Sequence, residues 1–250
     1  MKAIILCAGK CDRLKPLTDD LPKPMVPINS KPNLEYLILL CKKHGINEIA
    51  INTSYLPHKI KEYFINGDKF GVKLRYSFEP KLLGTSGALN NFRDFFDETF
   101  FVIYGDNLTD INLSEMLRYH KDKRGLGTLY LHKQEIITEK TTPGIVLFDK
   151  NYKITEIIEK PNEFERAKLK KISERKKLSN SGIYILEPEI LKLIPEGFSD
   201  FANNIFPKVI NSGYSLYGFI SKYYFKEIGE INRYLSARED IELKRVKLNI

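Results

Sequence analysis

Short runs of β-branched and aromatic residues alternate with amphipathic stretches along most of the chain. The first run is Lys2–Cys7. In the first amphipathic stretch, Pro32–His44, apolar residues recur at three- and four-residue spacing between a leading proline and Gly45, which predicts a helix. Strands that alternate with helices are typical of βαβ units. The pattern therefore predicts an α/β fold with a Rossmann-like mixed, mostly parallel sheet flanked by helices.

The same criteria predict the remaining elements. Further strands are expected at Asn47–Thr53, Val72–Phe78, Thr99–Tyr104, Leu126–His132, Ser181–Leu186 and Ser215–Ile220. Further helices are expected at His58–Phe64, Ser86–Phe95, Leu113–Lys123, Glu187–Ile194, Phe201–Ser212 and Asn232–Lys247. Two runs, Ile145–Phe148 and Lys153–Ile158, flank a turn and predict an antiparallel pair. Because no internal repeat or long linker separates these elements, we predict a single domain over residues 1–250 with two lobes.

Composition agrees with a globular protein of this size. The 250 residues are 42% hydrophobic and 29% charged, which is enough apolar material to bury a core. Aliphatic runs such as Tyr36–Leu40 are far shorter than the roughly 20 residues that a membrane span needs. The first residues lack the three regions of a signal peptide. We therefore expect a cytoplasmic protein with no membrane partner.

Net charge favours anionic partners. Forty basic and 32 acidic residues give +8, which suits nucleotides, sugar phosphates or nucleic acid. Part of the excess lies between Arg166 and Lys177, where seven residues are Lys or Arg and one is Glu. This segment is interpreted as a solvated helix face, with a surface for an acidic partner as the alternative. Because it lacks interleaved aromatic residues, no nucleic-acid partner is predicted.

Cysteine and histidine positions exclude several classes of site. Cys7, Cys11 and Cys41 are too few for a disulfide framework and lack metal-site spacing, so they are predicted to be reduced thiols. The four histidines are scattered, and no Ser-His-Asp or Cys-His pattern is present. The chain therefore carries no signature of nucleophilic catalysis.

The loop after the first strand is the strongest candidate for a binding site. In an open parallel sheet, ligands bind beyond the carboxyl ends of the strands. A loop that folds around phosphates needs small residues for close approach and cations to offset charge. The small residues here are Ala8 and Gly9, and the cations are Lys10, Arg13 and Lys23. The flanking prolines, Pro22 and Pro24, restrict the backbone around Lys23 and orient its side chain. Neither the Walker nor the dinucleotide-binding spacing is present.

Three further motifs carry candidate chemistry. A buried strand ends on Asp106, whose carboxylate is either a magnesium ligand or a turn residue. Gly84 and Gly87 open a helix, either as a simple turn or as backbone donors beside a base or ribose. Glu159 and Lys160 lie side by side at a strand end, where such a pair is usually solvated surface.

Taken together, these motifs resemble the sugar-1-phosphate nucleotidyltransferase family across essentially the whole chain. The family signature A-G-G-x-G-T-R-L-x-P-L-T, followed by P-K-P-M-x-P-I, is similar to Cys7–Thr18 and Pro22–Ile28. The other family motifs are similar to Leu83–Leu89, Gly105-Asp106, Glu159–Pro161, Asn180–Tyr184, Asp200–Pro207 and Tyr224–Tyr234. The chain looks most similar to mannose-1-phosphate guanylyltransferase-like members.

This resemblance implies transfer of a nucleotidyl group from an NTP to a sugar 1-phosphate, giving an NDP-sugar and pyrophosphate, with Mg²⁺ as cofactor. Residues 1 to about 130 would form the nucleotide-binding half. Residues from about 131 to 250 would form the sugar-binding half, with a small antiparallel lobe and the C-terminal helix. GTP with mannose 1-phosphate or a heptose 1-phosphate is favoured, and UTP with a hexose 1-phosphate is the alternative. Whether the chain forms a homo-oligomer is left open.

The resemblance also implies individual roles. The residues implied in catalysis are Arg13, Lys23 and Asp106. Those implied in nucleotide binding are Leu6, Ala8, Gly9, Lys10, Arg13, Gly84 and Gly87. Those implied in sugar-phosphate binding are Gly144, Glu159, Lys160 and Asn180, and the implied metal ligands are Asp106 and Glu227.

Four positions depart from the family pattern. Cys11 replaces a glycine, Asp12 replaces a threonine or serine, Glu227 replaces an aspartate and Glu230 replaces a threonine. An added carboxylate beside a triphosphate repels it unless a cation compensates, and the longer side chain of Glu227 shifts the second metal-binding group. These departures motivate a second hypothesis, in which the chain is a catalytically weak regulatory subunit that binds an NDP-sugar.

Overall fold

The computed structural model describes residues 1–9, 12–133, 144–173, 177–248 and 250. The chain divides by contacts into two compact units. Unit 1 comprises Met1–Leu82, Asn91–Ser114 and Lys222–Ile250, and unit 2 comprises Leu83–Asn90 and Glu115–Ser221. Among the described residues, none of the helices combines the length and the apolar composition that crossing a membrane requires.

The strands are short, as expected for an α/β protein. They are β1 Lys2–Leu6, β2 Pro27–Ile28, β3 Lys31–Pro32, β4 Glu48–Thr53, β5 Lys73–Phe78, β6 Phe100–Tyr104, β7 Asn107–Thr109, β8 Gly127–His132, β9 Ile145–Phe148, β10 Ile154–Ile158, β11 Lys177–Leu186, β12 Leu216–Ile220 and β13 Phe225–Glu227. The α-helices are α1 Asn33–Lys43, α2 Pro57–Phe64, α3 Gly84–Gly87, α4 Leu113–Lys123, α5 Glu163–Lys170, α6 Phe206–Asn211 and α7 Ile231–Glu242. Tighter 3-10 turns occur at Asp12–Leu14, Lys23–Met25, Asp68–Phe70, Ala88–Phe92 and Pro188–Leu193.

Several predicted elements differ in type from those observed. The single helix predicted at Ser86–Phe95 is wrong, because α3 gives way to a 3-10 segment, Ala88–Phe92, where Asn90 and Asn91 lower helix propensity. The helix predicted at Phe201–Ser212 begins as a π-helical segment, Phe201–Ile205. Pro207 then enters α6 at its first turn, since it has no N–H for the helix interior. The predicted helix Leu113–Lys123 is confirmed with its bounds.

Unit 1 contains a parallel sheet in the order β6-β1-β4-β5. β1 pairs with β6 on one side and β4 on the other, so that Ile4 lies between Val102 and Ala50. Its middle residues are fully buried, as expected for a parallel strand covered on both faces. Because Leu6 pairs with Tyr104, β1 and β6 end side by side. The loops that follow them therefore begin next to each other.

A two-stranded antiparallel ribbon, β7 with β13, extends unit 1. Glu227 pairs with Asn107, and the Ile228 N–H donates to the Asp106 carbonyl at 2.8 Å. The helix α7 follows directly, anchored by the Tyr234 hydroxyl, which donates to the Pro27 carbonyl at 2.8 Å. These elements share one apolar cluster, formed by Leu14, Val26, Ile28, Leu108, Ile228, Tyr234 and Ala237. The ribbon and α7 are thereby fixed to the segments that carry Arg13 and Lys23.

Unit 2 contains a mixed sheet in which β10, β9, β11 and β8 are antiparallel and β12 runs parallel to β8. The predicted antiparallel pair of β9 with β10 is confirmed. Tyr184 packs edge-on against Phe206 and Phe201, with ring centroids 5.0 and 5.5 Å apart. The α/β class predicted from the sequence is confirmed by the parallel strands of unit 1 and the largely antiparallel strands of unit 2.

Two cysteines are buried and form no disulfide. They are Cys7, at the end of β1, and Cys41 in α1. Burial raises the pKa of the Cys41 thiol to about 12, which keeps it protonated and unreactive. Both agree with the prediction of reduced thiols. Cys11 lies outside the described residues.

Candidate active site

Asp106 lies just beyond the end of β6, where the chain passes close to the loop after β1. The Gly105 N–H donates to the Leu6 carbonyl at 2.9 Å. A Cβ at position 105 would lie 2.8 Å from the Leu6 oxygen and 3.0 Å from the Cys7 sulfur. Only glycine permits so close an approach. The Gly-Asp pair therefore brings the carboxylate to the edge of the predicted phosphate loop.

Asn33, the first residue of α1, fixes the backbone on both sides of Asp106. Its side-chain amide is fully buried and donates to the carbonyls of Gly105 and Asn107, both at 3.0 Å. Sequence reasoning did not identify this residue as part of the site. The available signal was a polar residue at the start of an otherwise apolar helix, which is also the pattern of an ordinary helix cap.

Lys23 contacts Asp106 directly. Lys23 lies between Pro22 and Pro24 and is the first residue of the 3-10 turn Lys23–Met25. Pro22 has an extended conformation, with φ −69° and ψ 149°. The Lys23 ammonium forms an ion pair with Asp106 Oδ2, and both side chains are only 16% exposed. The Pro-Lys-Pro sequence predicted a restricted orientation for Lys23, and its side chain contacts Asp106, another candidate catalytic residue.

Glu227 also approaches this pair, and all three side chains pack closely over Gly229. A Cβ on Gly229 would lie 2.5 Å from Lys23 Nζ and 3.1 Å from Asp106 Oδ2, and would overlap Glu227 Oε1. Three charged groups thus meet over a residue that has no side chain. We call Lys23, Asp106, Glu227 and Gly229 the carboxylate cradle.

Both glutamates that depart from the family pattern are paired with arginines. Arg13 Nη1 lies 2.5 Å from Glu230 Oε1, and Arg13 Nη2 lies 4.0 Å from Glu227 Oε1. Arg233, in the first turn of α7, forms an ion pair with Glu227 Oε2. The sequence did not predict the Arg233 contact, because the Tyr224–Tyr234 motif leaves position 233 unspecified. The negative charge that Glu230 adds, and the charge of Glu227, are therefore balanced locally.

The cradle has a donor set that suits a magnesium ion. No group of three or more His, Cys, Asp or Glu side chains in the described ranges could enclose a metal. Mg²⁺ is usually bound by only one or two protein carboxylates, with water and substrate phosphates completing its octahedron. Asp106 Oδ2 and Glu227 Oε1 both lie within 3.1 Å of the Cβ position of Gly229, so the two carboxylates converge on one point. The residues present therefore fit this ion.

The electrostatic environment of Glu227 disfavours its ionised form. Burial raises the pKa of its carboxyl group, and the neighbouring Asp106 raises it further. Lys23, Arg233 and Arg13 lower it and only partly offset the rise. Ionised Glu227 therefore costs folding free energy, as is common at sites that keep like charges together for function.

We expect Glu227→Gln to make the metal-free protein more stable at pH 8. A carboxyl group whose pKa is raised on folding binds its proton more tightly in the folded state, so stability falls as pH rises from its ordinary pKa of 4.5 through the raised value. Glutamine removes that loss. Urea unfolding in EDTA should show a gap between variant and wild type that opens as pH rises from 4 to 8. Glu242→Gln, an exposed partner of Arg238, controls for lost charge. A variant that loses stability relative to wild type as pH rises would contradict this.

Buried hydrogen bonds between polar side chains anchor the start of the predicted phosphate loop, which follows β1. The Cys7 N–H donates to Asn52 Oδ1 at 2.8 Å, and Asn52 Nδ2 donates to Glu79 Oε1 at 2.8 Å. Glu79 is only 1% exposed. Beyond this anchor Ala8 is partly buried, and Gly9 is exposed, with no atom within 4 Å of where its Cβ would be. The predicted cation Lys10 lies outside the described residues.

In unit 2, close packing explains why positions 84 and 87 are glycines. Gly84 has φ +78°, and a Cβ on it would overlap the Ser199 carbonyl. A Cβ on Gly87 would lie 2.5 Å from the Gly197 carbonyl. The N–H groups of Ser86 and Gly87 donate to the Ser199 carbonyl at 3.0 Å. The nucleoside contact implied for these glycines stays a prediction.

Three of the four predicted sugar-phosphate residues meet in unit 2. The Asn180 N–H donates to the Gly144 carbonyl at 2.9 Å, and its side-chain amide donates to the Tyr184 hydroxyl at 2.9 Å. A Cβ on Gly144 would overlap Glu159 Oε2. The fourth residue, Lys160, follows Glu159 in the chain, is exposed and has φ +47°. Gly144, Glu159 and Asn180 are therefore neighbours in the structure, and the sugar-phosphate contact implied for them stays a prediction.

Known proteins with similar sequences act on sugar 1-phosphates, according to their names. A UTP–glucose-1-phosphate uridylyltransferase from Synechocystis sp. is 37% identical over 99% of this chain and 65% of its own length. The catalytic subunit beta of mannose-1-phosphate guanylyltransferase from Dictyostelium discoideum is 32% identical over 95% and 63%. A D-glycero-alpha-D-manno-heptose 1-phosphate guanylyltransferase from Campylobacter jejuni is 34% identical over 81% and 80%. The chain thus spans slightly less than two thirds of the first two proteins.

A solved structure and a family model also match this chain. HddC from Yersinia pseudotuberculosis superposes with a TM-score of 0.77, with 26% sequence identity over 96% of this chain and 99% of that one. The same protein has also been crystallised with GMP-PN. The family model for nucleotidyl transferases matches residues 2–244, which include every position of the carboxylate cradle. The chain therefore belongs to the nucleotidyl transferase family, within its sugar-1-phosphate branch.

Proposed function

We propose that this protein transfers a nucleotidyl group from an NTP to a sugar 1-phosphate, forming an NDP-sugar and releasing pyrophosphate. The observation that carries the proposal is the carboxylate cradle. Two carboxylates and a lysine meet over Gly229, at the ends of strands where this class of fold binds ligands. A nucleophilic side chain is not needed, because such a transfer depends mainly on alignment and on neutralising charge.

In the proposed reaction the sugar phosphate is the nucleophile. One of its phosphate oxygens forms a bond to the α-phosphorus of the NTP as the bond from that phosphorus to the bridging oxygen of the β-phosphate breaks. Pyrophosphate leaves with the bonding electrons. Because the attacking oxygen is already ionised, the protein does not have to remove a proton. Its residues hold the two phosphates in line and offset their charge.

The cations of unit 1 suit this task. Lys23 is held in the cradle and would neutralise charge near the α-phosphate. Arg13 is 64% exposed, so the triphosphate can replace Glu230 as its partner. The backbone at Leu6, Ala8 and Gly9 would approach the phosphates, as the small side chains allow. The pair of carboxylates, Asp106 and Glu227, would hold Mg²⁺, which when bound supplies further positive charge to the phosphates.

The sugar 1-phosphate is assigned to the residues that meet in unit 2. Glu159 would accept hydrogen bonds from sugar hydroxyls, and Lys160 would hold the phosphate. Gly144 leaves room for the Glu159 carboxylate, and Asn180 is held by the Gly144 carbonyl on one side and Tyr184 on the other. This cluster would therefore present one carboxylate in a fixed position.

Replacing Gly144 with alanine should weaken binding of the sugar 1-phosphate selectively. The added Cβ overlaps Glu159 Oε2, so the carboxylate has to move. Misplacing one hydrogen-bonded charged group costs about 10-fold or more in affinity. Initial rates should show a raised KM for the sugar 1-phosphate and an unchanged KM for the NTP. Gly213→Ala is the control, because its Cβ would have no atom within 4 Å; its φ of +81° makes alanine lose stability through strain, and both KM values should stay unchanged. An unchanged KM for the sugar phosphate would remove Glu159 from that site.

For the substrates, we propose GTP with mannose 1-phosphate or a heptose 1-phosphate. Support comes from the names of the Dictyostelium and Campylobacter relatives and from the Yersinia structure with GMP-PN. The second candidate is UTP with glucose 1-phosphate, which the 37% identical Synechocystis relative favours. These candidates differ in both base and sugar, so one assay separates them.

The test is pyrophosphate release with Mg²⁺, crossing five nucleoside triphosphates with mannose, glucose and heptose 1-phosphates. We expect release with GTP and mannose or heptose 1-phosphate. Release with UTP and glucose 1-phosphate instead would favour the second candidate. No release from any pair, together with calorimetric binding of an NDP-sugar, would defeat the enzymatic proposal and support the regulatory-subunit hypothesis.

A further inference from the structure

The two carboxylate oxygens of Glu227 have different surroundings. Oε2 accepts from the Arg233 guanidinium. Oε1 lies over Gly229, close to Asp106 Oδ2 and Lys23 Nζ. One oxygen is therefore held by an arginine while the other is presented to the cradle.

Arg233 is carried by a firmly packed element. It lies in the first turn of α7, next to Tyr234, which is 1% exposed and hydrogen-bonded to the Pro27 carbonyl. Ala237, one turn further along, is fully buried. The Arg233 side chain is itself 31% exposed, so it reaches Glu227 from the rim of the cradle. The position of its guanidinium is thus tied to the core of unit 1.

Glu227 needs such a partner more than an aspartate would. Glutamate has one more rotatable bond, and ordering it costs additional conformational entropy. Lys23 and Arg13 also attract this carboxylate, since Arg13 Nη2 lies 4.0 Å from Oε1. The Arg233 guanidinium donates through Nη1 to the opposite oxygen, and this charge-assisted contact opposes rotation of the carboxylate toward the other cations.

We propose that Arg233 is a positioning residue that holds Glu227 Oε2 so that Oε1 is presented, with Asp106, to a divalent cation. This inference rests on the proposed metal-binding role of Asp106 and Glu227. It assigns a function to a residue at a position that the Tyr224–Tyr234 motif leaves unspecified. It also explains how a glutamate can serve at this position, because the longer side chain and the arginine from α7 act together.

Binding of Mn²⁺ to the nucleotide-free protein, followed by electron paramagnetic resonance, tests this without any turnover. Arg233→Gln should weaken Mn²⁺ binding about 10- to 100-fold, the usual cost of removing a group that orients a metal ligand. Arg233→Lys keeps the charge but loses the planar fork, and an intermediate effect is expected. Arg238→Gln is the control, because Arg238 lies on the same helix, is 43% exposed and pairs with Glu242.

Two further measurements separate positioning from a purely structural role. In a Glu227→Gln background, Arg233→Gln should cause no further loss of Mn²⁺ affinity. Urea unfolding of the single variants reports any loss of stability separately. Reduced stability of Arg233→Gln together with wild-type Mn²⁺ affinity would overturn the inference. So would a wild-type protein that binds no Mn²⁺, or one whose Mn²⁺ binding does not depend on Asp106 and Glu227. If the dependence on Arg233 holds but no NDP-sugar is made, the proposed function fails and the positioning role stands.

Discussion

Asp106→Asn is expected to lower kcat/KM by about 1000-fold, on the scale of removing a group that stabilises charge in the transition state. Asparagine keeps the size of the side chain but removes the charge that pairs with Lys23 and that would bind Mg²⁺. Because Asn33 fixes the backbone on both sides, the loop itself should stay in place. Steady-state pyrophosphate release measures the effect.

The control for Asp106→Asn is Asp94→Asn. Asp94 is an exposed aspartate of the same unit, paired with Arg75 at 2.8 Å. It should leave kcat/KM within about twofold of wild type, since exposed ion pairs contribute little free energy. If Asp106→Asn retains a tenth or more of the wild-type kcat/KM, Asp106 is not a metal-binding residue of the reaction.

Gly229→Ala should lower kcat about 100-fold, the cost of displacing reacting groups by roughly 1 Å. The new methyl group would occupy the space that Lys23, Asp106 and Glu227 share, so at least one of these groups has to move. Urea unfolding should show a small change in stability, because the chain at Gly229 does not adopt a positive φ.

Gly45→Ala gives the opposite pattern and serves as the control. Gly45 has φ +75° with no atom within 4 Å of the Cβ position, so alanine there should cost about 1 kcal/mol of stability through backbone strain and leave kcat unchanged. Full activity of Gly229→Ala would show that the space over Gly229 is not used in catalysis.

The parallel half of the fold could be predicted because local pattern and burial agree there. β1 and β6 are continuous apolar runs buried on both faces, and each differs from its predicted bounds by one residue. The ribbon strands β7 and β13 were missed because each is only three residues long. Such strands have too few alternations to give a periodic signal. It is this ribbon that brings Asp106 and Glu227 together.

The segment rich in basic residues shows where a local signal was overlooked. It was interpreted as a helix face from Arg166 onward, but α5 begins at Glu163. Asn162 caps it, accepting from the Glu165 N–H at 2.9 Å, while Glu165 accepts from the Asn162 N–H at 2.8 Å. This capping box could have been predicted from the sequence Asn162-x-x-Glu165. The acidic-partner alternative for this segment stays a prediction.

Some residues of the candidate site could be predicted from local motifs, and others are recognised only in the tertiary structure. Lys23 and Asp106 were identified from a Pro-Lys-Pro turn and a strand end, both of which are local features. Asn33 and Arg233 were missed, because their roles depend on carbonyls and a carboxylate that are distant in the sequence. The departures at Glu227 and Glu230 could not be resolved from the sequence for the same reason, since Arg233 and Arg13 meet these carboxylates only in the folded structure.

The central claim, that a sugar phosphate oxygen attacks the α-phosphorus of an NTP, is tested most directly by isotope transfer. The protein is incubated with Mg²⁺, GTP and mannose 1-phosphate that carries ¹⁸O in the bond between C1 and phosphorus, and products are followed by ³¹P NMR. The same is done with UTP and labelled glucose 1-phosphate. We expect one NDP-sugar and one pyrophosphate per turnover, with the label retained between C1 and phosphorus in the NDP-sugar. A labelled sugar 1-phosphate that stays unreacted, or label recovered in inorganic phosphate or in free sugar, would contradict this claim.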